Sequence, residues 1–193
     1  MSPHWNRIII TTLLVISLLC LLLAPLLMPA SYNWILHTTS EAGAQGTEGA
    51  WLTRLAFMLF GFAVLLLALK NQLAWNRAAR GLHATFGIGM IGNAVFSSRP
   101  WITELPYDVI EDFLHSLMSD LAGIAFTLGV IICLVKRKQF QWKSRYMDIL
   151  AIFIAVFVTI SMMSFDSIDG ILQRVMFAVS YLWYLRETRE ISN

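Results

Sequence analysis

The chain has 193 residues, of which 58% are hydrophobic and only 13% charged, with a formal net charge of +2. A soluble domain carries about 25% charged residues, and the mean hydropathy here is +0.66, so composition excludes an ordinary soluble globule and points to an integral membrane protein. No basic stripe carries interleaved aromatics, which excludes nucleic acid as a partner. Cys20 and Cys133 lie inside apolar runs and read as packing residues, not as a disulfide or metal pair.

Six apolar segments follow in chain order, each judged against the roughly 20 residues that cross a bilayer. The first covers 8–28 and is bent or ended by Pro25 and Pro29. It is longer than a signal peptide's apolar region and lacks a good small-x-small cleavage site, so it reads as an uncleaved span. A polar loop follows, with turns at Gly43, Gly46 and Gly49 and with Trp34 and Trp51 suited to the membrane surface.

The second segment, 51–69, is interrupted only by Arg54. The third, 81–98, carries Gly81, Thr85, Gly89 and Gly92 on one stripe, which lets helix backbones approach closely. It also holds Gly87, so that Gly87, Gly89 and Gly92 spell the dinucleotide pattern G-x-G-x-x-G. That pattern needs a strand before it and a helix after it. Inside a membrane span it reads as helix packing.

The fourth segment, 111–135, opens on the most polar stretch of the apolar sequence, 106–120, with Asp108, Glu111, Asp112, His115, Ser116, Ser119 and Asp120. Asp108, Asp112, His115 and Ser119 share one helical face, because residues three and four apart are neighbours. The basic segment 136–145 leads to the fifth span, 147–165. That basic segment reads as topology-setting charge, or as an anionic-lipid contact anchored by Trp142. An acidic turn then returns the chain to the sixth span, 168–185, whose aromatic end with Tyr181, Trp183 and Tyr184 suggests an interfacial belt.

Lysine and arginine favour the cytoplasmic side of membrane proteins. All of the fourteen here except Arg54, Arg99 and Arg174 fall on one side of the six-span reading. The expected fold is therefore all-α: one membrane domain over 1–193, a polytopic bundle of six transmembrane helices in the plasma membrane, with both termini cytoplasmic.

On the opposite, outer side the chain gathers Glu41, Arg54, Asp112, His115, Asp120 and Arg174, the expected binding residues, with His37 a further candidate beside Glu41. Ionisable groups at membrane depth are costly and mark functional sites, yet ion pairs that lock helices together also explain them. As a pocket the set suits a lipid headgroup or another small molecule, so membrane lipids are the expected partners. As an enzyme, His115 would be the general base oriented by Asp112, with Ser40 or a water as nucleophile, acting as a hydrolase or transferase on lipids. As a proton-coupled transporter, Asp120 and His115 would form a relay, but six short spans without an evident internal repeat are few for alternating access. No metal-binding His spacing occurs, and His83 and His115 lie near opposite ends of their spans, so neither a metal nor a haem or other cofactor is expected. No oligomeric state follows from the sequence.

Several positions together carry a resemblance. Ser40-Glu41-x-Gly43 precedes a glycine-rich loop and Ala50-Trp51-Leu52; Gly61 is central in the second span; Gly92-x-x-Val95-Phe96 ends the third, with a proline soon after; Leu114-His115 heads the fourth; and Gly170, Gln173 and Arg174 open the sixth. Over about residues 8–186 the chain resembles the domain-of-unknown-function family 998 of prokaryotic membrane proteins. The resemblance implies a compact six-helix membrane protein without an established activity, and it carries Glu41, His115 and Arg174 as site candidates. The family's pattern places a proline and an aspartate directly after the third span. Here the chain reads Phe96-Ser97-Ser98-Arg99-Pro100, with Glu104 or Asp108 as the acids that would substitute.

Overall fold

The computed structural model describes residues 3–72, 74–136, 142–164 and 166–192. Among these residues there are six α-helices and no strand. α1 is Pro3–Leu23, α2 Ala50–Lys70, α3 Arg77–Val95, α4 Val109–Lys136, α5 Trp142–Met162 and α6 Asp169–Glu187. Short 3₁₀ turns extend α1 at Ala24–Leu27, where Pro25 ends the regular helix, and α6 at Thr188–Ser192. Much of the basic segment 136–145, with Trp142 as its anchor, lies outside the described residues and side chains.

Of the boundaries that differ from the expected ones, two are set by helix caps. α3 begins before residue 81, where Asn76 Oδ1 accepts the Ala79 N–H at 2.8 Å. α4 begins before residue 111, where Asp108 Oδ1 accepts the N–H groups of Ile110 at 2.7 Å and Glu111 at 3.1 Å. Asp108 is thus an N-cap, spending its carboxylate on otherwise orphaned helix donors.

Four described segments are long and apolar enough to cross a membrane: His4–Leu27, Ala50–Lys70, Val109–Lys136 and Arg145–Met162. α3 and α6 fall below that measure because they carry more polar residues, several of which point inward. His83, Asn93, Ser180 and Glu187 are all buried. The outward faces are apolar instead, with Phe113, Leu117, Leu121, Ile124 and Leu128 along α4 and Phe153, Val156, Phe157 and Ile160 along α5 all exposed.

α3 packs between α2 and α4, and glycines set the distances. A Cβ on Gly61 would lie 2.6 Å from the Gly87 carbonyl oxygen, and one on Gly89 would lie 2.8 Å from the Met118 carbonyl oxygen. Gly92 sits against the Met118 side chain in the same way. The G-x-G-x-x-G pattern is therefore one helix's contact surface toward two neighbours. Gly81, expected on the same stripe, meets nothing within 4 Å.

α6 supplies the aromatic centre. Phe60 of α2 stacks on Tyr181 with ring centroids 4.1 Å apart, and Ser17 of α1 hydrogen-bonds both the Tyr181 hydroxyl and the Ala56 carbonyl, each at 2.6 Å. Tyr181, Trp183 and Tyr184 are 1%, 0% and 0% exposed, so the expected interfacial belt is instead core. Phe177, Ser180, Tyr181, Tyr184 and Glu187 recur at three- and four-residue spacing and face inward together.

At the end where α6 finishes, this core becomes polar. His83 lies between the rings of Trp75 and Trp183, with centroids at 4.2 and 4.9 Å, and its Nδ1 is 3.0 Å from the Tyr184 hydroxyl. Trp75 donates to Glu187 at 2.7 Å and Trp183 to Asp148 at 2.8 Å. Arg186 joins both acids, 2.6 Å from Asp148 and 2.5 Å from Glu187. Both carboxylates are fully buried. The chain beyond the sixth expected span, from Arg186, thus begins inside this lock, and the 3₁₀ turn that follows buries Ile191.

Candidate functional site

The opposite end of the bundle is closed by the loop between the first 3₁₀ turn and α2. Within it Glu41 and Thr38 cap one another: the Thr38 N–H and hydroxyl donate to Glu41 Oε2 at 2.7 and 3.1 Å, and the Glu41 N–H donates to Thr38 Oγ1 at 3.1 Å. This reciprocal pairing is a capping box, and it fixes the Glu41 side chain. Gly46 and Gly49 take φ of 65° and 78°, a conformation that favours glycine, and a Cβ on Gly49 would lie 2.4 Å from the Leu27 carbonyl oxygen.

Two arginines strap this loop down. Arg174 donates to the carbonyls of Trp34 at 2.7 Å, His37 at 3.0 Å and Gly170 at 2.8 Å, and to the Tyr32 hydroxyl. Arg54 donates to Gly43 O at 3.0 Å and Ala44 O at 3.1 Å. Neither forms an ion pair among the described residues, so the expected neutralisation of carboxylates is replaced by binding of main-chain oxygens. Burial pushes the Tyr32 hydroxyl above its ordinary pKa, against the pull of the neighbouring Arg174 charge.

Two glutamines complete the fastening. Gln173 Oε1 accepts from the Thr39 N–H at 2.7 Å, from the Thr39 hydroxyl and from the Ser40 N–H at 3.2 Å. Gln45 bonds the Ser97 and Asp108 carbonyls at 2.9 and 3.0 Å and accepts the Asp108 N–H at 2.7 Å. Gln173 already stood in the family pattern. Gln45 gave no sequence signal, since its partners are main-chain atoms far along the chain.

Between this loop, the segment 98–107 and the first three turns of α4 lies a recess of about 760 Å³. Glu41, Asp112, His115 and Asp120 line it, with Ser116 and Ser119. Arg54 lines an adjoining recess of about 610 Å³ with Glu111 and Asp108, and Tyr107 borders both. Arg174 lines neither and sits under the loop. Four of the six expected site residues are thus brought to one recess, one is next door, and one supports the wall.

His115 is 4% exposed. Its Nδ1 lies 2.9 Å from the Phe96 carbonyl oxygen, and its Nε2 is buried with no hydrogen-bond partner. A carbonyl only accepts, so Nδ1 carries the proton in the neutral ring and Nε2 presents a bare lone pair. Asp112 does not orient this ring: its Oδ1 accepts the Arg99 N–H at 2.8 Å. The acid–base dyad that the enzyme reading needs is therefore not hydrogen-bonded. Asp120 is exposed, 11 residues beyond Val109 and so about 16 Å along α4 at 1.5 Å per residue. It bonds no other described side chain. The Trp101 Nε1–H on the recess wall is also buried without a partner.

Among the described residues no group of three or more His, Cys, Asp or Glu is arranged to hold a metal ion. A family model described as "Protein of unknown function (DUF998)" matches residues 11–186. No curated protein and no solved structure matches the chain.

Proposed function

The chain belongs to the DUF998 family of proteins of unknown function, and from that premise we propose that it is a multi-pass plasma-membrane protein whose outer recess binds a lipid headgroup or another small molecule. All six helices cross the bilayer in this reading. α3 and α6 have 19 residues each, about 28 Å of helix, which suits a hydrocarbon core of about 30 Å. His83 and Asn93 of α3 and Ser180 and Glu187 of α6 are buried and so turned away from lipid. Both termini lie in the cytoplasm, because Arg7, Lys70, Arg77, Arg80, Lys136, Arg145 and Arg186 belong to one end of the bundle and Arg54, Arg99 and Arg174 to the other.

The single observation that carries the binding function is the buried, unpartnered Nε2 of His115, a residue that lines the recess. A buried acceptor without a partner costs about 1–3 kcal/mol, and a ligand that donates to it recovers that cost. The test is thermal unfolding of the purified protein in detergent, with and without a total lipid extract, beside His115→Ala. Lipid raises the midpoint of the wild type and leaves that of His115→Ala unmoved. Equal shifts in both, or none in either, would contradict a binding function for the recess.

A further inference from the structure

We propose that the ligand group taken by the recess is a primary ammonium, carried by a lipid headgroup or by a free amine. The proposal rests on the binding function above and adds the chemistry of the ligand. Three carboxylates, Glu41, Asp112 and Asp120, line the recess against one guanidinium, Arg99. An anionic headgroup would add negative charge to this surplus, whereas a cation offsets it.

The hydrogen bonds narrow the cation further. Glu41 Oε2 is occupied by Thr38 and Asp112 Oδ1 by the Arg99 N–H. Among the described residues the acceptors without a partner are the other oxygen of Asp112, both oxygens of Asp120 and the Nε2 lone pair of His115, beside the donors of Arg99 and the Trp101 indole. An ammonium brings three N–H donors and no acceptor, and so matches these acceptors. A quaternary ammonium has the charge but nothing to donate to Nε2.

The residues are also spaced for one small group. Asp112 and His115 are three residues apart on α4, and Asp112, Ser116 and Asp120 are each four apart, so neighbouring Cβ atoms are about 5–6 Å from one another. The depth of Asp120 gives the charge a reason. A carboxylate in the hydrocarbon region is costly without a partner, and the described residues give it none. Ser116 and Asp120 are exposed on the flank of α4, so a headgroup can enter from the side, from the bilayer.

The experiment uses full-length protein in detergent, incubated with an equimolar mixture of phosphatidylethanolamine, its N-monomethyl and N,N-dimethyl forms, phosphatidylcholine and phosphatidylglycerol. Retained lipid is read by native mass spectrometry. A parallel arm measures the unfolding midpoint of delipidated protein with ethanolamine or choline. The variant is Asp112→Asn/Asp120→Asn, which keeps side-chain size and the oxygen that meets the Arg99 N–H; Asp120→Asn alone, at an exposed position, guards against loss of fold.

The expected result is retention of phosphatidylethanolamine over phosphatidylcholine by about tenfold, falling stepwise with methylation and lost in both variants. A midpoint raised by ethanolamine and not by choline, again lost in the variants, would assign the ammonium to a free amine instead. Equal retention of the amine and choline lipids, or an amine preference that survives both variants, overturns the ammonium. If lipids without an amine are then still lost from His115→Ala, the recess remains a binding site of other chemistry. If nothing is retained in a His115-dependent way, the binding function fails together with the ammonium.

Discussion

At the end of the bundle where α6 finishes, Arg186 is clasped between two fully buried carboxylates, Asp148 and Glu187, and each acid also receives an indole N–H. At the other end the arginines ignore the carboxylates. Arg54 and Arg174 bind main-chain oxygens of a loop, while among the described residues Asp120 makes no hydrogen bond and one nitrogen of His115 is buried without a partner. The two ends hold similar residue types and use them differently. One is a filled lock in which Trp75, His83, Trp183 and Tyr184 exclude space as well as satisfy charge. The other is a scaffold that spends its cations on holding a loop in place and keeps acidic residues and His115 in the wall of a recess. Closed polar networks rigidify, whereas unfilled ones await a partner.

That contrast orders the effects of substitution. Arg186→Ala takes the guanidinium away from two buried carboxylates and should be the most damaging, destabilising the fold by about 3–5 kcal/mol. Chemical unfolding in mixed micelles checks it, and a loss no greater than that of a surface substitution would show that the lock is not one. Arg174→Ala removes the strap from the carbonyls of Trp34 and His37 and should cost less, about 1–3 kcal/mol. Its damage should be local: proteolysis within 32–45 should quicken while the packing around Trp183, read by tryptophan fluorescence, stays as it was. Asp120→Asn should change stability least, within about 0.5 kcal/mol, because no described residue bonds that exposed carboxylate. A large loss on Asp120→Asn would place Asp120 among the structural groups and erase the difference between the two ends.

Much of the helical layout was legible because long uncharged runs have one reading. α1, α2, α4 and α5 stand close to where hydropathy puts them, and Gly89 and Gly92 of α3 meet α4 as their spacing suggests, whereas Gly81 on the same stripe meets nothing. The lock was not legible. Trp183 and Tyr184 lie next to the charged end of α6, where aromatics commonly mark an interface, and only their spacing with Phe177, Tyr181 and Glu187 hints that they face inward. The role of Arg174 was hidden for another reason: its partners are carbonyl oxygens, which every residue has and no sequence displays. The shared face of Asp112 and His115 was readable from helical spacing. The wall opposite them, built from 98–107, depends on a loop held by Gln45 through main-chain contacts, and hydropathy carries no trace of that.

The most direct test of the contrast between a filled end and an unfilled one is amide hydrogen exchange of the purified protein, with and without phosphatidylethanolamine. Lipid should slow exchange at 38–45 and 98–120 and leave 183–192 unchanged. Slowing confined to 183–192, or spread evenly over both ends, would contradict it.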